Sequence, residues 1–331
     1  MARPPWSLVA WLGLCVGLMA AAPLPPDPPP ASDDEKVIRQ REVDMVVRDT
    51  QRWQREHGDR TLPWDDAKGH LAIVIDDVGR ELHLFEQLLA LRYPLTFSIL
   101  PGSVYAAGVQ TRLRGDRRRY REIMLHLPME PARTSMMFEG AEAGETFVRL
   151  GDDPATLRAA VEDALTRVPA AVGVNNHMGS ALTRDAAAMR EVMAVLAPRP
   201  LYFIDSRTIG DTQAEAMAQR AGVPSLRREV FLDHDPSAAA IEAALDDAAK
   251  LSRDHPVVAI AHPSPEVVEV LQRRLPDLYA RGVGVYPASR LVVAARATDM
   301  HAAGFPVNAG FDAQGPQMPR SEGGSVFVAP N

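Results

Sequence analysis

The sequence predicts an α/β fold, a distorted (β/α)7-type barrel of parallel strands in a single domain, and three observations predict it. Short apolar runs alternate with stretches of helical length and period from about residue 70 to 297. The first of them, Leu71 to Ile75, is apolar at every position, as a strand buried on both faces of a parallel sheet is. Several runs end in a polar residue of catalytic type, and α/β folds collect their chemistry at the carboxyl ends of strands.

The first run, Leu71 to Ile75, ends in Asp76-Asp77 and then Val78-Gly79. Buried carboxylates are costly unless paired, hydrogen-bonded or metal-bound, so two at a strand end suggest function. Strands are expected over 71–76, 94–100, 121–126, 171–175, 201–205, 256–261 and 282–286, with another short one near 228–232. Helices are expected over 80–92, 104–114, 154–168, 183–197, 210–221, 236–253 and 264–275. Asp153-Pro154, Thr183 with Asp185, Asp235-Pro236 and Ser264-Pro265 supply helix-start signals. In each, a side-chain oxygen can accept from a free N–H, or a proline sits where its missing N–H costs nothing. About seven such units suggest a barrel rather than an open sheet.

The flanks differ in composition. Arg3 precedes an apolar stretch, Trp6 to Ala22, so residues 1–22 are expected to be a signal peptide or an N-terminal membrane anchor. Residues 23–69 are expected to hold a Pro-rich linker and a charged helix at 35–57, with Val37, Val43, Val46, Val47 and Trp53 as an apolar stripe for docking. The barrel occupies 70–297, and the Gly- and Pro-rich tail, 298–331, is expected to be disordered. An exported protein of the periplasm or cell envelope follows. Cys15 is the only cysteine, so the exported domain has no disulfide and no thiolate metal site. A net charge of −7 argues against nucleic acid as the partner, and the basic cluster from Arg112 to Arg121 reads as a solvated face.

The strand ends carry the chemistry. His126, His177 and His262 each follow an apolar run, as do Asp76, Asp77 and Asp205. One such histidine is more often structural than a ligand. Three in one repeating pattern, converging on one mouth of a barrel, suit a divalent metal, with zinc the best match for His and Asp donors. Such an ion polarises a carbonyl and acidifies water, while a carboxylate and an imidazole nearby move protons. A Gly-x-Ser-x-Gly elbow and a Gly-rich phosphate loop are both absent from the sequence, which disfavours a serine hydrolase.

Six segments carry a resemblance: Ile75-Asp76-Asp77-Val78-Gly79, His126-Leu127-Pro128-Met129-Glu130, Gly173 to Ser180 with Asn175-Asn176-His177, Phe203-Ile204-Asp205-Ser206-Arg207-Thr208, Arg228 to Asp233, and Ile260-Ala261-His262-Pro263. In this order they resemble the divergent polysaccharide deacetylase family. The resemblance implies a distorted (β/α)7 barrel, export, and kinship with metal-dependent carbohydrate esterases that remove N-acetyl groups. It implies Asp76 as catalytic base, His262 as general acid and Asp77 as a metal ligand. The better-known relatives place two metal histidines in one His-x-x-x-His segment. Here His126 has no such partner, and His177 from the next strand must complete the site.

Asn175, Asn176, Asp205, Arg207 and Arg228 are the expected substrate contacts or supports of the site. The leading expectation is a metal-dependent deacetylase acting on an acetylated envelope or extracellular glycan. The alternative is a non-catalytic envelope protein on the same scaffold, binding glycan or a cell-wall enzyme. A glycosidase with paired carboxylates is a third, and it needs an acid such as Asp205 because adjacent residues of a strand face opposite sides.

Overall fold

The computed structural model describes residues 33–116, 119–134 and 145–302. The chain divides into two units, Met1–Arg52 and Trp53–Asn331. The first holds most of helix α1, Asp33–His57, on which Val37, Val43, Val46 and Val47 are exposed. Among the described residues no helix is long and apolar enough to cross a membrane. The expected export segment 1–22, most of the linker, and the tail beyond 302 lie outside the described residues.

The second unit is built on a sheet of nine parallel strands. They are β1 (Gly69–Val78), β2 (Thr96–Ile99), β3 (Glu122–Met129), β4 (Gly173–Met178), β5 (Tyr202–Asp205), β6 (Ser225–Arg227), β7 (Val230–Phe231), β8 (Val257–Ala261) and β9 (Val283–Val285). Their order is β6-β5-β4-β3-β2-β1-β8-β7, and β9 pairs with the first residues of β1. The two ends of this path meet through one segment. β6 pairs with β5, the Arg228 N–H donates to the Asp205 carbonyl, the Glu229 N–H donates to the Val258 carbonyl, and β7 pairs with β8. One broken stave thus crosses from one neighbour to the other, and the sheet curls into a distorted barrel.

Alternation along the strands sorts the core into two layers. Leu71, Ile73 and Ile75 point outward, into the large cluster shared with the helices. Ala72 and Val74 point inward and meet Met124, Ile204, Val258 and Ile260. All five residues of Leu71–Ile75 are fully buried. Each large aliphatic side chain so buried contributes about 1.5–3 kcal/mol, more than a helix cap at about 1 kcal/mol. Burial of this strand, rather than capping, fixes the frame.

The connecting helices are α2 (His83–Ala90), α3 (Ala106–Gly115), α4 (Pro154–Arg167), α5 (Ala186–Leu196), α6 (Ala214–Arg220), α7 (Ala238–Leu251), α8 (Pro265–Ala280) and α9 (Ala288–Ala302). Asp153, Asp185, Ser237 and Ser264 accept from the first free N–H groups of α4, α5, α7 and α8. Most helix ends differ from expectation by one to four residues, and α2, α8 and α9 show why. α2 starts later, because Glu81 folds back to accept from Leu84 and Phe85 N–H. α8 runs through Pro276 instead of stopping at 275, with Leu275 and Leu278 buried on either side of it; their packing offsets the lost hydrogen bond. α9 was not among the expected helices, and it runs to Ala302, past 297 and into the first residues of the tail expected to be disordered. Its start plugs the amino-terminal mouth of the barrel: Tyr286, Ala288, Leu291 and Val292 join the inner cluster. There the Ala288 N–H donates to Thr96 Oγ1, and the Ser289 N–H donates to Glu122 Oε1.

Candidate metal centre

At the opposite mouth, β1 breaks its own alternation. Its register against β2 shifts between Ile75 and Val78, and Asp77 has φ of +54°. A non-glycine residue there is strained. The break turns two adjacent acids toward one mouth, which an unbroken strand would not do. Met178 and Arg207, at the ends of β4 and β5, also have positive φ. Local strain therefore collects at the carboxyl ends of β1, β4 and β5.

β3 and β4 supply the imidazoles. In the sheet register His126 lies level with Asn175, and His177 lies level with Pro128. At about 3.3 Å per residue, His177 stands about 6.6 Å further up the barrel. The lower histidine reaches upward with its far nitrogen and the higher one presents its near nitrogen. His126 Nε2 and His177 Nδ1 are 3.2 Å apart, and Asp77 Oδ1 is 3.2 Å from the first and 2.9 Å from the second. Among the described residues Asp77, His126 and His177 are the one group placed to hold a metal ion.

The donor set fits a divalent ion. Asp77, His126 and His177 would hold such an ion through these three atoms, the number of protein ligands found in catalytic zinc sites. Asp77 Oδ1 is buried and, among the described residues, has no aligned hydrogen-bond donor despite the two nitrogens beside it. Three lone-pair atoms facing one point are what a cation resolves. Burial alone would raise the Asp77 carboxyl, but the imidazoles of His126 and His177 outweigh it and hold it well below the usual range. Burial lowers His177, as a neutral ligand requires. His126 is opposed by burial yet raised overall by Asp76 and Asp77. A metal that binds there must displace a proton from this group.

Asn175 organises the layer beneath. It is fully buried, and its Oδ1 accepts from Ser98 Oγ at 2.5 Å and from His126 Nδ1 at 2.9 Å. Its Nδ2 donates to Asp76 Oδ1 at 2.9 Å and to Ser206 Oγ at 3.1 Å. With Nδ1 occupied as a donor, His126 presents the Nε2 lone pair to the cluster, the usual way a second partner sets a ligand's tautomer. Asp76 is buried, with Oδ2 3.6 Å from His126 Nε2. Burial pushes its carboxyl up, against the pull of His126, His262 and Asn175. His262, at the end of β8, pairs through Nδ1 with Asp233 Oδ2 at 3.2 Å, and the same oxygen accepts from the His262 N–H at 2.8 Å. Burial would lower this imidazole, but Asp233, Asp77 and Asp76 raise it to about 9.

The other expected residues brace the turn after β5. Asn176 spends its side chain on the Ser206 N–H and the Met178 carbonyl. Of the two expected roles, substrate contact or support, these bonds favour support: both amides are buried and engaged by protein partners. Asp205 accepts from the Arg207 backbone N–H and from Thr212 Oγ1 rather than from a guanidinium. It caps a turn, a support of the site. Arg228 donates to the Ser206 and Arg207 carbonyls and lies 4.9 Å over the Phe231 ring. Arg207, half-buried, contributes its backbone to both of these contacts. The sequence gives no role to Asp233, which only closes the Arg228 to Asp233 segment, or to Ser98. The first follows a strand of two residues, and the second sits inside one.

One barrel mouth thus brings together an Asp-His-His cluster, a buried carboxylate and a carboxylate-paired imidazole. The family model for "Divergent polysaccharide deacetylase" matches residues 73–292, and the chain belongs to that family. It is 37% identical over 211 residues to the uncharacterized protein YibQ of Escherichia coli K12, a match covering 63% of each chain. The aligned part thus spans just under two thirds of that relative's length. It is 36% identical over 223 residues to an uncharacterized protein of Haemophilus influenzae Rd, covering 66% of this chain and 76% of that one. Among solved structures, the uncharacterized protein ATU2773 of Agrobacterium tumefaciens C58 superposes with a TM-score of 0.62 at 22% identity. That match covers 70% of this chain and 93% of that one, and it supports the fold.

Proposed function

We propose that this protein is a metal-dependent hydrolase that removes acetyl groups from an envelope or extracellular glycan, with N-acetyl hexosamine as the unit attacked. The observation that carries this reading is that Asp76 and His262 lie beside the Asp77–His126–His177 cluster, close enough for each to shift the other's proton affinity. Asp77, His126 and His177 would hold the ion, and zinc suits their donor atoms. A divalent ion bound there supplies Lewis acidity, polarising the acetamide carbonyl and making nearby water easier to deprotonate.

The protein's own groups do the rest. Asp76, raised by burial yet held by the Asn175 amide, accepts a proton from the attacking water. The new C–O bond forms as this proton leaves. His262, kept protonated by Asp233, gives a proton to the nitrogen as the C–N bond breaks. An amine is a poor leaving group unless protonated, so base and acid are both needed. Acetate and a glycan amine result. Activity in the cell envelope is part of the proposal and rests on Arg3 and the apolar stretch 6–22.

The test is acetate release from N-acetylated glycan oligomers by the metal-loaded protein. Asp76→Asn should keep its metal and lose on the order of 10²-fold or more in turnover. Loss of metal would make Asp76 a ligand instead, and unchanged turnover would remove it from the reaction.

A further inference from the structure

We propose that Arg80 is a positioning residue for the metal ligand, holding the Asp77 carboxylate to a single donor oxygen. The inference rests on the metal reading of the Asp77–His126–His177 cluster. Arg80 donates from Nη1 to Asp77 Oδ2 at 3.0 Å. Its Nε and Nη2 donate to Glu145 Oε1 and Oε2 at 3.0 and 2.9 Å. The Glu145 side chain is fully buried, while Arg80 and Asp77 are 26% and 19% exposed.

This geometry divides the labour of one planar group. Glu145 takes two donors of the fork and so fixes the guanidinium plane. A third donor then points at Asp77 Oδ2. With Oδ2 committed, Oδ1 faces His126 and His177. A carboxylate free to turn would offer a cation both oxygens, and the second would fill space that an open catalytic site needs. Lysine cannot reproduce the arrangement, because an ammonium is a point charge without a fork. Glu145 also answers a charge problem. A lone guanidinium this close to a dication would repel it, whereas an Arg80–Glu145 pair is neutral. Arg80 therefore orients Asp77 with little electrostatic cost to the ion.

The experiment uses the full chain and Co²⁺ as the probe. Four-coordinate Co²⁺ absorbs more strongly in the visible than five-coordinate Co²⁺. Affinity is read by competition with a chelator, for wild type, Arg80→Lys and Glu145→Gln. In Arg80→Lys the visible bands should fall by roughly half or more as Asp77 adds its second oxygen. Its affinity should drop on the order of 10-fold, the scale for loss of a ligand's supporting partner. Glu145→Gln keeps the size of the pair, guards against a misfolded arginine variant, and should shift both readouts in the same direction by less. Unchanged spectra and affinity in both variants would overturn the proposal. A tighter site in Arg80→Lys would also overturn it, marking Arg80 as a charge that merely opposes the ion. Failure of the wild type to bind Co²⁺ would instead overturn the metal reading.

Discussion

Removing the Asn175 side chain tests whether the layer beneath the ligands is integral to the site. Asn175→Ala deletes four hydrogen bonds, to Ser98, His126, Asp76 and Ser206, in a fully buried place. A buried polar group left unpaired costs about 1–3 kcal/mol, more where it is charged. Four such groups set an upper bound of about 12 kcal/mol. A water molecule fits where the amide was and can serve two or three of them. The net loss should therefore be about 3–5 kcal/mol, the range reserved for broken buried networks. Urea unfolding of the metal-free protein measures it. Metal affinity should fall about 10–100-fold, because His126 loses the acceptor that sets its tautomer. Asn175→Asp serves as the partner variant. It keeps an acceptor for Ser98 and His126 but loses the donor to Asp76, and it places a third carboxylate beside the other two. It should push the Asp76 proton affinity higher still. A loss below about 1 kcal/mol in Asn175→Ala, with metal affinity intact, would refute the reasoning.

Other outcomes follow from the same geometry. His262 in the metal-free protein should titrate at about 9 by NMR, and Asp233→Asn should lower that value. The sign for stability is set by a folded pKa above the unfolded value of about 6.5: the contribution is complete below that value and is lost as pH rises through the folded one. His262→Ala should cripple hydrolysis of an acetamide and largely spare an activated ester, whose leaving group needs no proton; equal losses would assign His262 to structure. Gly79→Ala should destabilise by about 1–3 kcal/mol, since Gly79 has φ of +115° and a Cβ there would lie 2.2 Å from Ser103 Oγ. A melting temperature within error of wild type would remove that constraint.

Much of this was legible in the sequence, for definite reasons. Strands buried on both faces read as unbroken apolar runs, so β1 and β8 were found within a residue or two. The residue that ends such a run is exposed to the mouth, which is why Asp77, His126, His177 and His262 stood out. What pattern cannot carry is a partner from a distant loop. Arg80 meets Glu145 across 65 residues with no periodic sign of it. Asp233 was hidden because β7 spans two residues, too few to show alternation. The roles of Asn175 and Asn176 were undecidable from type alone. An amide at a strand end serves substrate or neighbours equally well until burial decides, and here it favours neighbours. The turn at Asp77 was equally unseen, since strand alternation would have parted the two acids and only a backbone break brings them together.

The central claim is that Asp77, His126 and His177 hold one divalent ion. Its most direct test is elemental analysis of the purified protein, wild type beside Asp77→Ala, His126→Ala and His177→Ala, after loading and desalting. The wild type should hold about one zinc per chain and each variant should lose it, with folding retained by circular dichroism. A wild type that retains no divalent metal, or single variants that keep it at full stoichiometry, would show that these three residues hold no ion.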